Sequence, residues 1–155
     1  MICNTMSKKT DNSQYDRICL DNQLCFPLYA CAKEVVRKYR EPLEALGLTY
    51  TQYIVMMVLW EHGGMTEGEL GKKLYLDSGT LAPLLKRLEK QGYIKRIRPE
   101  NNERKLFLEL TPEGKALREE ALNVPGQMDG CIPLSHDELM ELRRLLKKAL
   151  NNMDL

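Results

Sequence analysis

Long apolar runs are missing from this chain. The longest, Tyr53 to Trp60, spans eight residues, against the roughly 20 that a membrane-spanning helix needs. Residues Met1 to Gln14 hold no apolar core, so a secretory signal is not expected. A large charge of one sign is also lacking. The 23 Lys and Arg residues meet 22 Asp and Glu, for a net charge of +1, so the chain as a whole is not a polybasic nucleic-acid binder. Aromatics make up only 6%, and histidine occurs twice, at His62 and His136. No CxxC occurs and nothing has zinc-ligand spacing, so we expect no metal and no cofactor. The five cysteines, Cys3, Cys19, Cys25, Cys31 and Cys131, are odd in number. With no export signal, a disulfide framework is the poorer reading, and a reduced, cytoplasmic compartment is the expectation.

What remains is a chain of 155 residues, 43% hydrophobic and 29% charged, the composition of one soluble domain with a real core. Residues 1–20 are polar and mixed and read as a flexible arm. From Leu24, apolar residues recur at helical spacing (Leu24, Leu28, Cys31, Val35, Tyr39), with Asp21 and Asn22 as expected N-caps and Gly47 as the stop. Pro42 should kink or interrupt that helix. Thr49 and Gln52 have capping-box spacing and open a second helix to His62. Apolar side chains nearly surround it, so it should be buried. His62 at its end reads as a capping or packing residue. Thr66 and Glu69 repeat the box before a short helix, Glu67 to Leu74.

Asp77-Ser78-Gly79-Thr80 leads into a helix to Gln91, where Leu81, Leu84, Leu85 and Leu88 form an apolar stripe. Tyr93 to Arg98 and Leu106 to Leu110 read as two strands of a hairpin whose polar tip is 99–104. Thr111-Pro112 caps a further helix, which Val124-Pro125-Gly126 should break. A loop carrying Cys131 follows, and Ser135 with Glu138 opens the last helix. The fold class is mainly α (α+β). Two helices at a short turn followed by a hairpin make a winged helix-turn-helix.

Lys72 to Lys105 holds ten basic and four acidic residues, a local net charge of +6 that leaves −5 elsewhere. Charge runs are commonly no more than solvated faces. On a helix-turn-helix, though, a localised basic patch is the footprint of a phosphate-binding surface. The second helix can enter the major groove with Ser78, Gly79, Thr80, Pro83, Lys86 and Arg87. Arg96, Arg98, Arg104 and Lys105 would serve from the hairpin, with Arg104 at the tip suited to a narrow minor groove. The expected partner is double-stranded DNA.

These residues resemble the MarR family of transcription regulators. The segment from Leu74 to Glu89 is similar to its recognition helix. Glu103-Arg104-Lys105 and Leu110-Thr-Pro-Glu-Gly are similar to its wing and the start of its dimer helix. The resemblance covers roughly Leu20 to Leu150. It implies a winged helix domain over 21–155, with a DNA-binding lobe at about 51–110 and dimerisation helices at about 21–47 and 111–153. It also implies a homodimer acting on an inverted-repeat operator.

Leu20-Asp-Asn-Gln-Leu-Cys-Phe-Pro-Leu-Tyr-Ala, and Trp60-Glu-His, further resemble the branch that senses organic hydroperoxides. That likeness implies that Cys25 is the peroxide-reactive thiol and that Tyr39 and Tyr50 hydrogen-bond it from the partner subunit. It also implies that Asp77 helps position Arg104, and that Cys131 is a candidate resolving thiol, although some members of the branch react with a small cellular thiol instead.

The chemistry also stands on the residues. Cys25 falls three or four residues after the expected cap, in the first helical turn, where a thiolate is favoured. Attack on a peroxide gives a sulfenic acid. The apolar neighbours Leu24, Phe26 and Leu28 suit an organic oxidant. A single cysteine in apolar surroundings can equally be inert packing, and the two tyrosines can be ordinary interface aromatics. Cys31, six residues on and about 240° round a helix, points elsewhere. The leading expectation is a repressor released from its operator when Cys25 is oxidised, and not an enzyme. The alternative is a repressor released by a small aromatic ligand in the dimer crevice, with Cys25 structural. A thiol peroxidase using Cys25 and Cys131 would leave the basic wing idle. A pure interaction module without DNA binding is the remaining reading.

Overall fold

The structure, a computed structural model, describes residues 13–98 and 105–153. It divides into two compact units, one ending at Arg37 and the other running from Lys38.

In the first unit, α1 (Ser13–Asp16) and a 3₁₀ turn (Leu20–Asn22) precede α2 (Cys25–Lys38). The expected flexible arm thus contains a helical turn over its last residues, while 1–12 lie outside the described residues. Asp21 and Asn22 do not cap α2. Asn22 donates its amide to the Asp16 carbonyl (2.7 Å) and Gln23 donates to Arg17 (2.6 Å), so both serve the turn. The Leu24 carbonyl is the first helical acceptor, and Cys25 is the first residue of α2. No residue of α2 is buried, so its apolar stripe stays largely exposed.

The second unit opens with α3 (Arg40–Glu44). The helix expected to run to Leu46 is interrupted, as expected of Pro42, and the break falls at Tyr39. Pro42 has no N–H to offer the Lys38 carbonyl four residues earlier, so the break falls a turn before the proline itself. Gly47, at φ 63°, ends this segment. The Thr49–Gln52 capping box forms and starts α4 (Tyr50–His62), which buries Gln52, Tyr53, Val55, Met56 and Leu59 but exposes Met57.

Next come β1 (Met65–Thr66), α5 (Glu67–Leu74), α6 (Ser78–Lys90), β2 (Ile94–Ile97) and β3 (Phe107–Leu110). The antiparallel sheet has the order β1-β3-β2, with Met65 opposite Leu108 and Ile97 opposite Phe107. The two residues of β1 carry too little pattern to read as a strand. Leu70, Leu81, Leu85, Leu88, Ile94 and Leu108 close the core beneath the helix-turn-helix, each at most 1% exposed.

The chain continues through α7 (Pro112–Ala121), α8 (Val124–Gln127) and α9 (His136–Asn151). Thr111 secures α7: its hydroxyl donates to the Gly92 carbonyl (2.6 Å) and accepts from the Gly114 amide (2.9 Å). The expected break at Val124-Pro125-Gly126 is itself one helical turn. Proline fits its first turn, and Val124 is fully buried. In α9 no residue is buried.

Candidate functional site

The second helix of the helix-turn-helix is α6. Its period of 3.6 sends Leu81, Leu84, Leu85 and Leu88 inward and leaves Ser78, Gly79, Thr80, Pro83, Lys86 and Arg87 exposed. Two features fix its start. Gly71 in α5 lets the turn close: a Cβ there would lie 2.7 Å from the Leu76 carbonyl oxygen. Asp77 is the N-cap, its two carboxylate oxygens accepting from the Thr80 amide and the Thr80 hydroxyl, each at 2.9 Å. Those bonds hold the Asp77 carboxyl below the ordinary aspartate range. The Asp77 carboxylate is thus engaged with α6 itself. Arg104, its expected wing partner, lies outside the described residues.

At the N-terminus of α4, Thr49, Thr51 and Gln52 line a cleft of about 200 Å³ together with Thr80, Pro83 and Arg87 of α6. Sequence reading missed this neighbourhood, because the two threonines lie some thirty residues from α6. The amide of buried Gln52 donates to Gln91 (3.0 Å), and Gln91 donates to the Gly47 carbonyl (2.8 Å), linking the end of the recognition helix to the start of α4.

On the hairpin, Arg98 and Lys105 are exposed, as expected of phosphate contacts. Arg96 differs. Its guanidinium meets the Glu89 carboxylate through Nε (2.8 Å) and Nη2 (2.7 Å). Glu89 is held below the usual carboxylate range chiefly by that hydrogen bond.

Among the redox candidates, Cys25 opens the fourteen-residue α2 and is exposed, as are Cys19 and Cys31. Tyr39, Tyr50 and Cys131 belong to the other unit, where they gather. The Tyr39 and Tyr50 ring centroids are 5.0 Å apart, and Tyr39 also lies 6.0 Å from Tyr53. Burial, then Tyr50, Tyr53 and Cys131 in that order, pushes the Tyr39 phenol up. Cys131 is half-buried, and Lys38 Nζ donates to its carbonyl oxygen at 2.8 Å. Tyr53 and Trp60 extend the aromatic row, and Trp60 donates its indole N–H to the Gly114 carbonyl (2.7 Å).

A second cleft, lined by Tyr53, Met57, Trp60, Arg118 and Leu122, holds about 220 Å³, below the roughly 300–1,000 Å³ of small-molecule sites. Among the described residues, no three His, Cys, Asp or Glu side chains cluster as metal ligands, and no helix is long and apolar enough to cross a membrane.

A capped recognition helix, a short turn before it and a basic hairpin after it define a winged helix-turn-helix protein. Residues 48–106 match the model of the MarR family. The chain is 42% identical over 141 residues to the organic hydroperoxide resistance transcriptional regulator of Bacillus subtilis (strain 168), covering 91% of this chain and 96% of that protein. It superposes on reduced AbfR bound to DNA with a TM-score of 0.73 and 34% identity, covering 89% of this chain and 96% of that one. AbfR is a Staphylococcus epidermidis protein. Against disulfide-formed AbfR the TM-score is 0.61, at 34% identity, covering 92% of this chain and 97% of that one. The chain belongs to the MarR family, and it is a transcription regulator rather than an enzyme.

Proposed function

We propose that this protein is a cytoplasmic, homodimeric repressor that leaves its inverted-repeat operator when organic hydroperoxide oxidises Cys25. The observation that carries the redox part is the Cys25 thiol, exposed at the first residue of a fourteen-residue helix and so open to an oxidant. The Cys25 thiolate attacks one peroxide oxygen and the O–O bond breaks. The thiol sulfur becomes a sulfenic acid, and the alkoxide takes up a proton and leaves as the alcohol. Cys131 then attacks the sulfenic sulfur as thiolate, forming a disulfide and releasing the sulfenic oxygen as water. Tyr39 and Tyr50 donate to the reacting sulfur from the partner subunit, a role supported by their adjacent rings, 5.0 Å apart.

DNA contact falls to the exposed residues of α6 (Ser78, Gly79, Thr80, Pro83, Lys86 and Arg87) and to Arg98, Arg104 and Lys105 of the wing, with Asp77 steadying the start of α6. The second copy covers the terminal helices. Leu28 and Val36 of α2 are 44% and 41% exposed, and Leu145 and Leu146 of α9 are 48% and 40% exposed. Apolar faces of that kind mark association surfaces. The relatives named as hydroperoxide-resistance and DNA-bound regulators support the same reading.

The test is a mobility shift on the protein's own promoter fragment at fixed salt, titrating cumene hydroperoxide against wild type, Cys25→Ser and Cys131→Ser. Wild type should release DNA and Cys25→Ser should not. Retention by Cys131→Ser makes it the resolving thiol; release assigns that step to a small thiol. If Cys25→Ser lets go as readily as wild type, the redox reading fails.

A further inference from the structure

Arg37–Glu34 and Arg144–Glu141 are i,i+3 ion pairs within single helices, and His62 Nε2 lies 3.7 Å from the carboxylate of its sequence neighbour Glu61. Glu89–Arg96, by contrast, ties two elements together, the recognition helix α6 and strand β2.

Three donors converge on one carboxylate there. Nε and Nη2 of Arg96 reach one Glu89 oxygen, and the Arg96 backbone N–H reaches the other at 3.3 Å. Strand β2 is an outer strand of the sheet, so this amide is satisfied by a side chain of α6 instead of another strand. The Arg96 side chain is only 22% exposed. It stands opposite fully buried Leu108, one residue before Ile97 ends β2. Lys95 and Arg98 on either side are exposed.

We propose that Arg96 is a positioning residue: with Glu89 it fixes the wing against the recognition helix, and it makes no phosphate contact of its own. This rests on the DNA-binding reading above, and it removes Arg96 from the contact set read from the sequence. A free basic residue and a strut respond oppositely to change. A phosphate contact adds about 0.9 to the slope of log affinity against log salt, whereas a strut adds nothing to that slope. A phosphate contact tolerates lysine, which keeps the charge. The strut does not, because lysine lacks the planar guanidinium that carries Nε and Nη2 together. Freeing a phosphate contact from Glu89 strengthens DNA binding; loosening a strut weakens it.

The experiment is fluorescence anisotropy on a promoter duplex over a salt series, with Glu89→Gln, Arg96→Lys and Arg98→Ala. Glu89→Gln and Arg96→Lys should each weaken binding about threefold or more with the salt slope unchanged. Arg98→Ala should reduce the slope by about one unit. Tighter binding by Glu89→Gln, or wild-type binding by Arg96→Lys, would overturn the proposal. Hydrogen exchange on the free protein separates the two levels. Amides of 94–97 should exchange faster in Glu89→Gln, and unchanged exchange there sinks the strut. If wild type binds no promoter DNA, the DNA-binding reading falls, and the exchange result still decides the role of Arg96.

Discussion

The winged lobe and the terminal helices solve the burial problem differently. In the lobe, α4, α5, α6 and the sheet close a core in which Val55, Met56, Leu59, Leu70, Leu85 and Leu88 reach 0% exposure. In α2, and separately in α9, no residue is buried, although both carry apolar stripes. Intrinsic helix formation does not account for stripes left in water, because most helical stability in proteins comes from a packed amphipathic face. The lobe is complete within one chain and spends its surface on charge. The terminal helices leave their apolar stripes exposed.

The sharpest way to break that contrast is to damage the lobe from within. Gly114 lies where α7 meets the turn after α6, and a Cβ there would collide with the Tyr93 carbonyl oxygen and lie 2.9 Å from its carbon. Both atoms are backbone, so no side chain can yield. Gly114→Ala should cost about 3 kcal/mol or more, at the top of the overpacking range, and urea denaturation should show it. A loss under 1 kcal/mol would mean that α7 can shift freely, contrary to a closed lobe.

Less damaging is a charge on the other region. Leu146→Glu in α9 should leave the unfolding of the lobe nearly unchanged and raise the dimer dissociation constant at least about tenfold, or about 1.4 kcal/mol. Sedimentation across a concentration series reads it. If the mass distribution does not move, α9 has no partner at that face.

Local signals in the sequence were the most legible. All three capping boxes form, at Thr49, Thr66 and Ser135, because each needs only residues three apart. The exposed face of α6 follows from its leucine spacing for the same reason. The interruption at Pro42 was legible too, and its place at Tyr39 follows from the amide that Pro42 cannot offer the carbonyl four residues earlier. What escaped the sequence was set across distance. The Glu89–Arg96 pair spans a turn, and the contact of Lys38 with Cys131 spans 93 residues. Composition made Arg96 a cation like its neighbours, and only packing separates it from them. Among the redox candidates, the aromatic row through Tyr53 and Trp60 needed the helices assembled.

The smallest effect comes from pH, and it separates the regions by which limb responds. On the acid side both carry depressed carboxylates. Glu69 is held down by the Thr66 amide and hydroxyl, and Glu138 by the Ser135 hydroxyl and amide. A carboxylate with a lowered folded pKa stabilises above its ordinary value, 4.5 for Glu here. That stabilisation is lost as pH falls through the folded value. These caps thus leave stability flat from neutral pH down to about 5 and weaken both regions together below that. The alkaline limb is one-sided. Tyr39 and Tyr53 are raised above 10.0, by burial first and then by neighbouring phenols. A raised folded pKa gives stability that is present below the ordinary value and lost as pH climbs through the folded one. The single tryptophan, Trp60, sits 6.3 Å from Tyr53, so its fluorescence during urea unfolding reports on this cluster. Stability read by Trp60 should fall above pH 10, while exchange of α9 amides, corrected for the intrinsic rise with pH, should not respond to the phenols at all. A common alkaline response in both probes would show that the two regions unfold as one and that the contrast between them stops at burial.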